Sequence, residues 1–422
     1  MKVLWQVNIV MPEAAKAIGL TQTNFGGWLV GAAQLLKKQD VDLTIVTVSI
    51  LTKRKTHVNV DGIEYYVLPS RCDYQTEIWD IIQTVQPDLI HIHGTEYDFN
   101  TQLIHICSKH NIKSVVSLQG LMCACAEHYM DGIPSKYNQV NPFLRLMSKI
   151  YYADSIAMEQ RRFAEQGKIE IEALKKVQNV IGRTTWDKEM ALSINPNLTY
   201  FHVNESLRPE FYTGERWDYN KCEKHSIFIS QASYPIKGLH MLLGILPKLI
   251  EEYPDLQVYI GGSAPYTFHY KYKFMDFILD GIFEYQGYIK KLIRMNRLKN
   301  HIHYTGPLNP QGMKTQYLKC NVFVSLSSIE NESNSISEAK MLGVPVVASR
   351  VGGVCDRITN GVNGLSYEFF DTETLRHNIR CIFNDQNQLM HYCNNAHMDA
   401  VQINDREKNT QALLAVYREI AG

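Results

Sequence analysis

The chain has 422 residues, of which 45% are hydrophobic and 20% charged, a balance typical of a folded protein large enough for two domains. Its 43 basic and 43 acidic residues cancel, so no overall charge directs it toward nucleic acid. No stretch approaches the roughly 18 apolar residues that span a bilayer, and we expect no secretion signal. The nine cysteines are an odd number, which favours a reduced cytoplasmic protein over a disulfide framework.

Short apolar runs alternate with helical patterns along the first half of the chain. This alternation predicts an α/β fold with a parallel sheet and crossover helices, and near-continuous β-branched or leucine runs are typical of strands buried on both faces. The predicted strands are Lys2–Val7, Asp42–Val48, Asp88–His93, Lys113–Leu118 and Asn179–Gly182. The predicted helices include Gly27–Lys38, Tyr74–Thr84 and Thr101–His110.

Three places in this half bring small or polar residues to the predicted strand ends. Gly26 and Gly27 close a loop that begins at Thr23, and paired glycines let the backbone approach a ligand closely. His93 ends one strand, and Gln119 follows the next. Because open α/β sheets bind ligands at the carboxyl ends of their strands, we expect these residues near a site.

The second half repeats the strand–helix alternation after a segment without clear periodicity. Its predicted strands are Ser226–Ser230, Gln257–Gly261, His301–Tyr304, Asn321–Ser325 and Pro345–Ala348. The predicted boundaries are 1–206 for a first domain, 207–225 for a linker, 226–400 for a second domain and 401–422 for a final helix. That helix has an apolar stripe, and we expect it to pack back on the first domain.

The most informative segment contains a strand, a polar loop, a helix, a second strand and a glycine-rich turn, in residues 321–353. Good N-cap residues stand where the helix should begin: Ser333, Asn334 and Ser335. Free N–H groups at a helix start bind diphosphate readily. Glu330 lies in the loop, and Glu338, eight residues later, could accept both hydroxyls of a ribose. Either glutamate alone is also compatible with an ordinary capped surface helix.

This segment resembles the Glu-x7-Glu signature of retaining GT-B glycosyltransferases of group 1, family 4 type. The matching positions are Glu338, Ala339, Gly343, Pro345, Val346, Val347, Ala348, Gly352 and Gly353. The resemblance implies two doubly wound, Rossmann-like parallel-sheet domains that face each other across a cleft. It also implies that Glu330 contacts the hydroxyls of the donor sugar and that Glu338 contacts the ribose.

Lys237 begins a helix after the first strand of the second domain, where its charge could meet a departing diphosphate. The family commonly has an arginine five residues earlier, whereas this chain has Ala232. The resemblance therefore implies that Lys237 acts alone or that another base replaces the arginine.

The resemblance implies a retaining hexosyltransferase whose donor is a nucleotide-diphosphate sugar. We expect no cofactor and no metal dependence, since no acidic pair is predicted at the cleft. The implied catalytic residues are Lys237, Glu330 and His93. The implied donor-binding residues are Gly26, Gly27, Gln119, Lys237, Glu330, Ser333, Asn334, Ser335 and Glu338, with Gly262 and Leu308 beside the nucleobase. A saccharide or lipid-linked acceptor and a role in surface-polysaccharide assembly follow from the family's usual setting.

Other interpretations stay open at this point. A nucleotide-sugar epimerase on the same fold and a noncatalytic sugar-binding relative share the donor motif. A two-lobed periplasmic binding protein would require an export signal. Asp40 and Asp42 resemble an Asp-x-Asp metal motif, but they lie at the amino end of their strand and so at the wrong edge of the sheet. The basic run Lys290–Lys299 is typical of a solvated helix, although it could touch an anionic membrane surface.

Overall fold

The computed structural model describes residues 1–21, 26–137, 155–263 and 284–422, which fold as two compact α/β units. Unit 1 consists of Met1–Cys123, Gln166–Pro209 and Ile403–Gly422, and unit 2 of Ala124–Glu165 and Glu210–Gln402. Each unit contains its own sheet. The predicted loop residues Thr23, Asn24 and Phe25 lie outside the described residues.

The described strands of unit 1 form an eight-stranded sheet. They are β1 (Lys2–Val7), β2 (Asp42–Ser49), β3 (Thr56–Val60), β4 (Ile63–Pro69), β5 (Leu89–His93), β6 (Ser114–Ser117), β7 (Asn179–Gly182) and β8 (Thr199–His202). Their order is β3-β4-β2-β1-β5-β6-β7-β8. The pair β3–β4 is antiparallel, and the other neighbouring pairs are parallel. The carboxyl ends of the parallel strands therefore leave the sheet at one edge.

The described strands of unit 2 form a six-stranded, fully parallel sheet. They are β9 (Ser226–Ile229), β10 (Gln257–Ile260), β11 (Ile302–Tyr304), β12 (Val322–Ser325), β13 (Val346–Ser349) and β14 (Leu365–Tyr367). Their order is β11-β10-β9-β12-β13-β14. The loops after β9 and β12 leave neighbouring strands at the same edge, which places the predicted donor residues close together.

The described α-helices, in chain order, are α1 (Pro12–Ala17), α2 (Gly27–Lys37), α3 (Tyr74–Val85), α4 (Asp98–His110), α5 (Met122–His128), α6 (Ile156–Leu174), α7 (Thr185–Ile194), α8 (Leu239–Glu252), α9 (Glu284–Met295), α10 (Pro310–Lys319), α11 (Asn334–Met341), α12 (Thr372–Asn384), α13 (Gln386–Ile403) and α14 (Arg406–Ala421). None of the described helices is long and apolar enough to cross a membrane.

The last helix, α14, packs into the core of unit 1 together with α2 and the sheet. The Tyr417 hydroxyl accepts a hydrogen bond of 2.9 Å from Trp5 Nε1 and lies 2.5 Å from His91 Nδ1. His91 Nε2 lies 2.7 Å from Ser117 Oγ. The apolar stripe of the tail is therefore buried against β1 and β5, and His91 has a structural role in holding it there.

The segment Ala124–Glu165 differs from the predicted domain boundary, since it groups with unit 2 and not with the rest of residues 1–206. Its described residues bond within unit 2. The Ser328 hydroxyl donates to the His128 carbonyl at 2.9 Å, and His240 Nε2 lies 3.0 Å from the Asp131 carbonyl. Contacts between residues more than 100 positions apart leave no periodic signal in the sequence.

The hairpin of β3 and β4 was also not predicted from the sequence. Asp61 and Gly62 connect the two strands, and both have positive φ angles, 50° and 75°. An Asp-Gly pair between two β-rich runs is a strong hairpin signal, because both turn residues must adopt a left-handed conformation. The alternating burial of β3 is typical of a strand with one solvated face.

Candidate functional site

Lys237 and Glu330 form an ion pair at the strand-end edge of unit 2. Lys237 ends a short 3₁₀ helix after β9, and Glu330 lies in the loop after β12. Lys237 Nζ and Glu330 Oε2 are 2.6 Å apart, and the two side chains are 17% and 18% exposed. Burial disfavours the ammonium, but the Glu330 carboxylate outweighs this effect and raises the pKa of Lys237 above its usual range. Lys237 is therefore a cation at physiological pH.

Two glycines let the backbone approach closely enough to form this pair. Gly238 has a φ of 65°, and a Cβ there would lie 1.9 Å from the Leu326 carbonyl oxygen. Gly352 has a φ of 48°, and its Cβ would lie 2.2 Å from the Glu330 carbonyl oxygen. That same carbonyl accepts a hydrogen bond of 3.0 Å from Gly353 N–H. Only glycine fits these two positions, so the glycines fix the loops that carry Lys237 and Glu330.

A serine just after β12 and the last residue of β13, Ser327 and Ser349, also fix the Glu330 carboxylate. The Ser327 hydroxyl donates to Glu330 Oε2 at 3.0 Å, and the Ser349 hydroxyl donates to the Ser327 carbonyl at 2.6 Å. Glu330 thus accepts a hydroxyl and an ammonium at one oxygen. The sequence analysis did not identify Ser327, although its position just after a buried strand was a usable signal.

Tyr234 lies beside Lys237, close to the position where the family commonly has an arginine. Lys237 Nζ is 5.7 Å from the centre of the Tyr234 ring. Burial raises the pKa of Tyr234, so its phenol is neutral. Ala232 is buried, with 6% of its surface exposed. The neighbour of Lys237 in this structure is therefore a neutral hydroxyl.

Helix α11 begins where the sequence analysis predicted, with Ser333 as its N-cap and Asn334 as its first residue. The Ser333 side chain makes no capping hydrogen bond to the helix. The Ser335 hydroxyl accepts a hydrogen bond of 2.9 Å from the Ser230 hydroxyl at the end of β9. Glu338 lies in the second turn and is 4% exposed. The start of α11 thus belongs to the same edge as Lys237 and Glu330.

A buried ion pair anchors the loop in front of α11. Arg357 Nε donates to Glu332 Oε1 at 2.9 Å, and the two side chains are 5% and 1% exposed. Removal of one partner of such a buried pair strongly destabilises the folded protein, because the other charge is then left buried and uncompensated. The pair fixes the loop between Glu330 and Ser333, and the sequence analysis did not identify it.

Gly262 and Leu308 follow β10 and β11 at the same edge of the sheet. Gly262 and Gly306 exchange two backbone hydrogen bonds of 3.0 and 3.1 Å, which tie the two loops together. Gly262 has a φ of 102°, and nothing lies within 4 Å of the position of a Cβ. Leu308 is half-buried before the N-cap of α10. Their predicted contact with a nucleobase stays a prediction.

The predicted residues of unit 1 lie at its own strand-end edge. Gly26 is the N-cap of α2 with a φ of 69°, and Gly27 is the first residue of that helix. Gln119 Nε2 donates to Glu205 Oε1 at 3.0 Å. Glu205 Oε2 in turn pairs with Arg183 at 2.6 Å, and the Arg183 side chain is 3% exposed. Gln119 is therefore held by a buried ion pair.

His93 is buried in a cavity of about 50 Å³ in unit 1 that also includes Trp5, Trp28 and Arg183. The His93 ring centre lies 4.6 Å from that of Trp5 and 5.5 Å from that of Trp28. Burial, together with the charge of Arg183 and the nearby His91, holds the pKa of His93 well below its usual range. His93 is therefore a neutral imidazole, able to donate one hydrogen bond and accept another.

Two carboxyl groups near the carboxyl end of β5, the half-buried Glu96 and the buried Glu170, were not identified from the sequence. Burial raises the pKa of Glu96 to about 7, although Glu96 Oε1 accepts a hydrogen bond of 3.0 Å from Gly120 N–H. Glu170 accepts hydrogen bonds from the Thr95 hydroxyl at 2.5 Å and from Cys123 N–H at 3.0 Å. Burial also raises the pKa of Glu170. The edge of unit 1 thus favours uncharged acids.

Among the described residues, no three His, Cys, Asp or Glu side chains form a group that could hold a metal ion. Asp40 and Asp42 lie at the amino end of β2, as the sequence analysis expected.

Residues 214–398 match the family model described as Glycosyl transferases group 1. They form a group 1 glycosyltransferase domain. This group 1 domain contains Lys237, Glu330 and Glu338. The chain is also 27% identical over 241 residues to the GDP-mannose-dependent alpha-mannosyltransferase of Corynebacterium glutamicum, an alignment that covers 54% of this chain and 50% of that protein. The chain spans half or less of the length of the first curated relatives that it matches.

Solved structures resemble the chain over nearly its whole length. Sucrose-phosphate synthase from Thermosynechococcus elongatus has a TM-score of 0.71 at 13% identity and covers 99% of this chain and 98% of its own. HepE from Anabaena, solved in complex with UDP-glucose, has a TM-score of 0.67 at 14% identity and covers 99% and 100%. These likenesses and the two parallel-sheet units confirm the predicted GT-B fold class of the chain that carries the group 1 domain.

Proposed function

We propose that the chain is a glycosyltransferase that moves a hexosyl group from a nucleotide-diphosphate sugar to a saccharide or lipid-linked acceptor. The observation that carries this proposal is the Lys237–Glu330 ion pair at the strand-end edge of the group 1 domain, next to the start of α11. A cation, a fixed carboxylate and free helix N–H groups are what a sugar diphosphate requires. Glu338 is buried in the same helix, where it would accept the ribose hydroxyls.

The ion pair is suited to a site that binds a sugar and a phosphate side by side. Without donor, Lys237 neutralises Glu330 at 2.6 Å. When the donor enters, the Lys237 ammonium would turn to the diphosphate and Glu330 would accept sugar hydroxyls. The hydroxyl of Ser327, 3.0 Å from Glu330 Oε2, would keep the carboxylate in place during this exchange. The phenol of Tyr234 would offer the phosphate a neutral donor beside the ammonium.

Lys237 would act mainly on the leaving group. As the glycosidic bond breaks, the diphosphate gains negative charge, and a preorganised cation stabilises that charge more strongly than it stabilises the bound donor. Glu330 is engaged by an ammonium and a hydroxyl, which suits a hydrogen-bond acceptor better than a covalent nucleophile. We therefore propose front-face attack by the acceptor hydroxyl, with retention of configuration and without a metal ion.

Unit 1 would bind the acceptor. His93 is a neutral imidazole in a cavity with two tryptophans, a combination that suits hydroxyl-bearing ligands. Gln119 would hydrogen-bond a sugar hydroxyl from its position beside the Arg183–Glu205 pair. Gly26 and Gly27 would let the start of α2 approach the donor. A role in surface-polysaccharide assembly in the cytoplasm, with the chain at the inner face of the membrane, fits such an acceptor.

The test begins with a thermal-shift screen of nucleotide sugars, since a ligand that binds the folded state raises the melting temperature by mass action. The donor that stabilises the chain is then incubated with candidate acceptors, and the anomeric configuration of the product is read by NMR. Retention with activity that survives EDTA supports the proposal. An epimerised donor in the absence of acceptor would indicate an epimerase instead, and binding without turnover or hydrolysis would indicate a noncatalytic relative.

A further inference from the structure

The loop between β2 and β3 exposes two aliphatic side chains beside a basic run. Ile50 and Leu51 are 84% and 60% exposed and form the turn directly after β2. Lys53, Arg54 and Lys55 follow before β3 begins. We name residues 50–55 the apolar–basic loop. Two adjacent aliphatic side chains exposed beside a basic run combine an apolar and a cationic surface in six residues.

Hydrogen bonds within unit 1 hold the loop in this shape. Leu51 N–H donates to the Ser49 hydroxyl at 3.1 Å. The Thr52 hydroxyl lies 3.3 Å from both the Ser49 and Leu68 carbonyl oxygens. These bonds fix the residues on both sides of the turn to the ends of β2 and β4. The exposure of Ile50 and Leu51 to solvent therefore follows from the hydrogen-bonded conformation of the loop.

The cations of this surface are mostly uncompensated. Lys55 pairs with Glu77 at 2.9 Å. Lys53 and Arg54 are exposed, and in the part of the chain that the structure describes they make no ion pair. Arg71 is also exposed and without an ion pair among those residues, and it follows β4. Its loop lies against the same strand end, since Ser70 N–H donates to the Ser49 carbonyl at 3.1 Å. Three free cations thus stand around the aliphatic pair.

We propose that the apolar–basic loop binds an anionic membrane surface, with Ile50 and Leu51 inserted among the lipids and Lys53, Arg54 and Arg71 on the phosphate headgroups. A protruding aliphatic pair offers no groove for a peptide, but it can enter the boundary between headgroups and acyl chains. Long basic side chains reach anionic headgroups from beside such an insertion. Insertion of a small apolar group or attraction by a few cations is too weak alone to hold a protein on a membrane, and reversible anchoring combines the two.

The loop lies at the carboxyl end of β2, and β2, β1 and β5 are parallel neighbours. The membrane would thus meet unit 1 at the strand-end edge that also carries His93. The proposal does not depend on the proposed reaction, since lipid binding is measured without donor or acceptor.

The experiment is vesicle flotation of the full chain with phosphatidylcholine alone and with phosphatidylcholine mixed with phosphatidylglycerol, at low and high salt. We expect binding to the mixed vesicles only, and weaker binding at high salt. The double variant Lys53→Glu/Arg54→Glu should lower binding at least tenfold, because each basic residue near an anionic surface contributes about fivefold. Ile50→Ser/Leu51→Ser should lower it similarly without a change in melting temperature, since both side chains are exposed.

The control variants change equivalent residues elsewhere. Val362→Ser/Met398→Ser removes two other exposed apolar side chains, and Lys291→Glu/Lys299→Glu, called the α9 variant, reverses charges in the basic run Lys290–Lys299, which begins in α9 and continues beyond its end. Both should bind mixed vesicles as the original chain does. No binding to mixed vesicles, equal binding to both vesicle types, or loss of binding only in the α9 variant overturns the proposal. So does a dimer, seen by light scattering, that Ile50→Ser/Leu51→Ser dissociates, because the loop would then bind a second copy.

Discussion

The strand-end edges of the two units differ in the charge state of their candidate site residues: Lys237 in unit 2 is charged, whereas His93 and Glu96 in unit 1 favour their neutral forms. In unit 2, Lys237 stays charged although it is largely buried, because Glu330 lies 2.6 Å away. In unit 1, Arg183 and Glu205 form an ion pair at 2.6 Å, whereas His91, His93 and Glu96 have no opposite charge as a partner among the described residues, so burial favours their neutral forms. It lowers the pKa of His91 to about 3, holds that of His93 well below its usual range and raises that of Glu96 to about 7.

The comparison shows that the presence of a partner, more than depth, decides whether a buried group is charged. A charged edge suits a leaving diphosphate, which requires a cation that is already in place. A neutral edge suits the hydroxyl groups of a sugar or acceptor, which would otherwise compete with ions for their hydrogen bonds. The two units thus offer different chemistry at the same position in similar sheets.

Replacement of Lys237 should have the largest effect, since it removes the charge from the edge of unit 2. We expect Lys237→Ala to lower kcat roughly 100-fold or more, the cost of losing one strong electrostatic donor. Donor affinity should fall less, because the helix N–H groups still bind the ground-state phosphates. Steady-state kinetics with the true donor measure both values. Lys248→Ala, in the exposed part of α8, is the control and should behave as the original chain. A raised KM with unchanged kcat would show that Lys237 only docks the donor.

The close backbone approach that positions Lys237 can be tested at Gly238. An alanine there would be strained by its φ of 65° and would also place a Cβ 1.9 Å from the Leu326 carbonyl oxygen. Gly214 has a φ of 81° with nothing near its Cβ position, so Gly214→Ala isolates the backbone strain. We expect Gly238→Ala to destabilise the chain by about 2 kcal/mol more than Gly214→Ala does. Calorimetric unfolding compares them, and equal melting temperatures would mean that the loop relaxes without cost.

The two glutamates of the group 1 domain should divide the donor between them. Glu338→Gln should weaken binding of the free nucleoside diphosphate and of the intact donor about tenfold each, the loss of a charge-assisted hydrogen bond. Glu330→Gln should weaken only the sugar-bearing donor. Isothermal titration with both ligands measures this, with exposed Glu251→Gln as the control. Equal effects of both variants on both ligands would contradict the division.

The sequence predicted most of the two sheets, because buried parallel strands appear as apolar runs between helical patterns. The N-cap of α11 and the strand-end positions of Lys237 and Glu330 followed from local patterns alone. The contact between these two side chains did not, since β9 and β12 are neighbours only in the folded sheet. Tyr234 was missed because its place beside Lys237 is visible only in the folded structure.

Charge state was the least predictable property of the site. His93 and Glu96 are ordinary titratable residues in the sequence, and only the folded structure around them, beside Trp5 and Gly120, shifts their pKa values toward the neutral forms. The grouping of Ala124–Glu165 with unit 2 depends on contacts with residues over 100 positions away. No periodicity in one sequence encodes such contacts.

Glu96 offers the most direct test of the neutral edge. The ordinary pKa of a glutamate is 4.5, and burial is the main cause that raises the pKa of Glu96 to about 7 in the folded chain. Between these two pH values the unfolded chain releases the proton while the folded chain keeps it, so stability falls as pH rises through this window and stays lower above it. Glu96→Gln cannot ionise and should lose this dependence.

The free energy of unfolding of Glu96→Gln should therefore rise relative to that of the original chain as pH rises from 4.5 to above 7. We expect a relative gain of about 1–2 kcal/mol, a value reduced because the Glu96 side chain is partly exposed. Urea unfolding across this range measures the difference, in which the other titrating groups cancel. Glu189→Gln, an exposed change in unit 1, should leave the pH profile unchanged. Profiles of original chain and Glu96→Gln that run parallel would show that Glu96 is ionised in the folded chain. The edge of unit 1 would then be charged like that of unit 2, and the contrast between the two edges would fail.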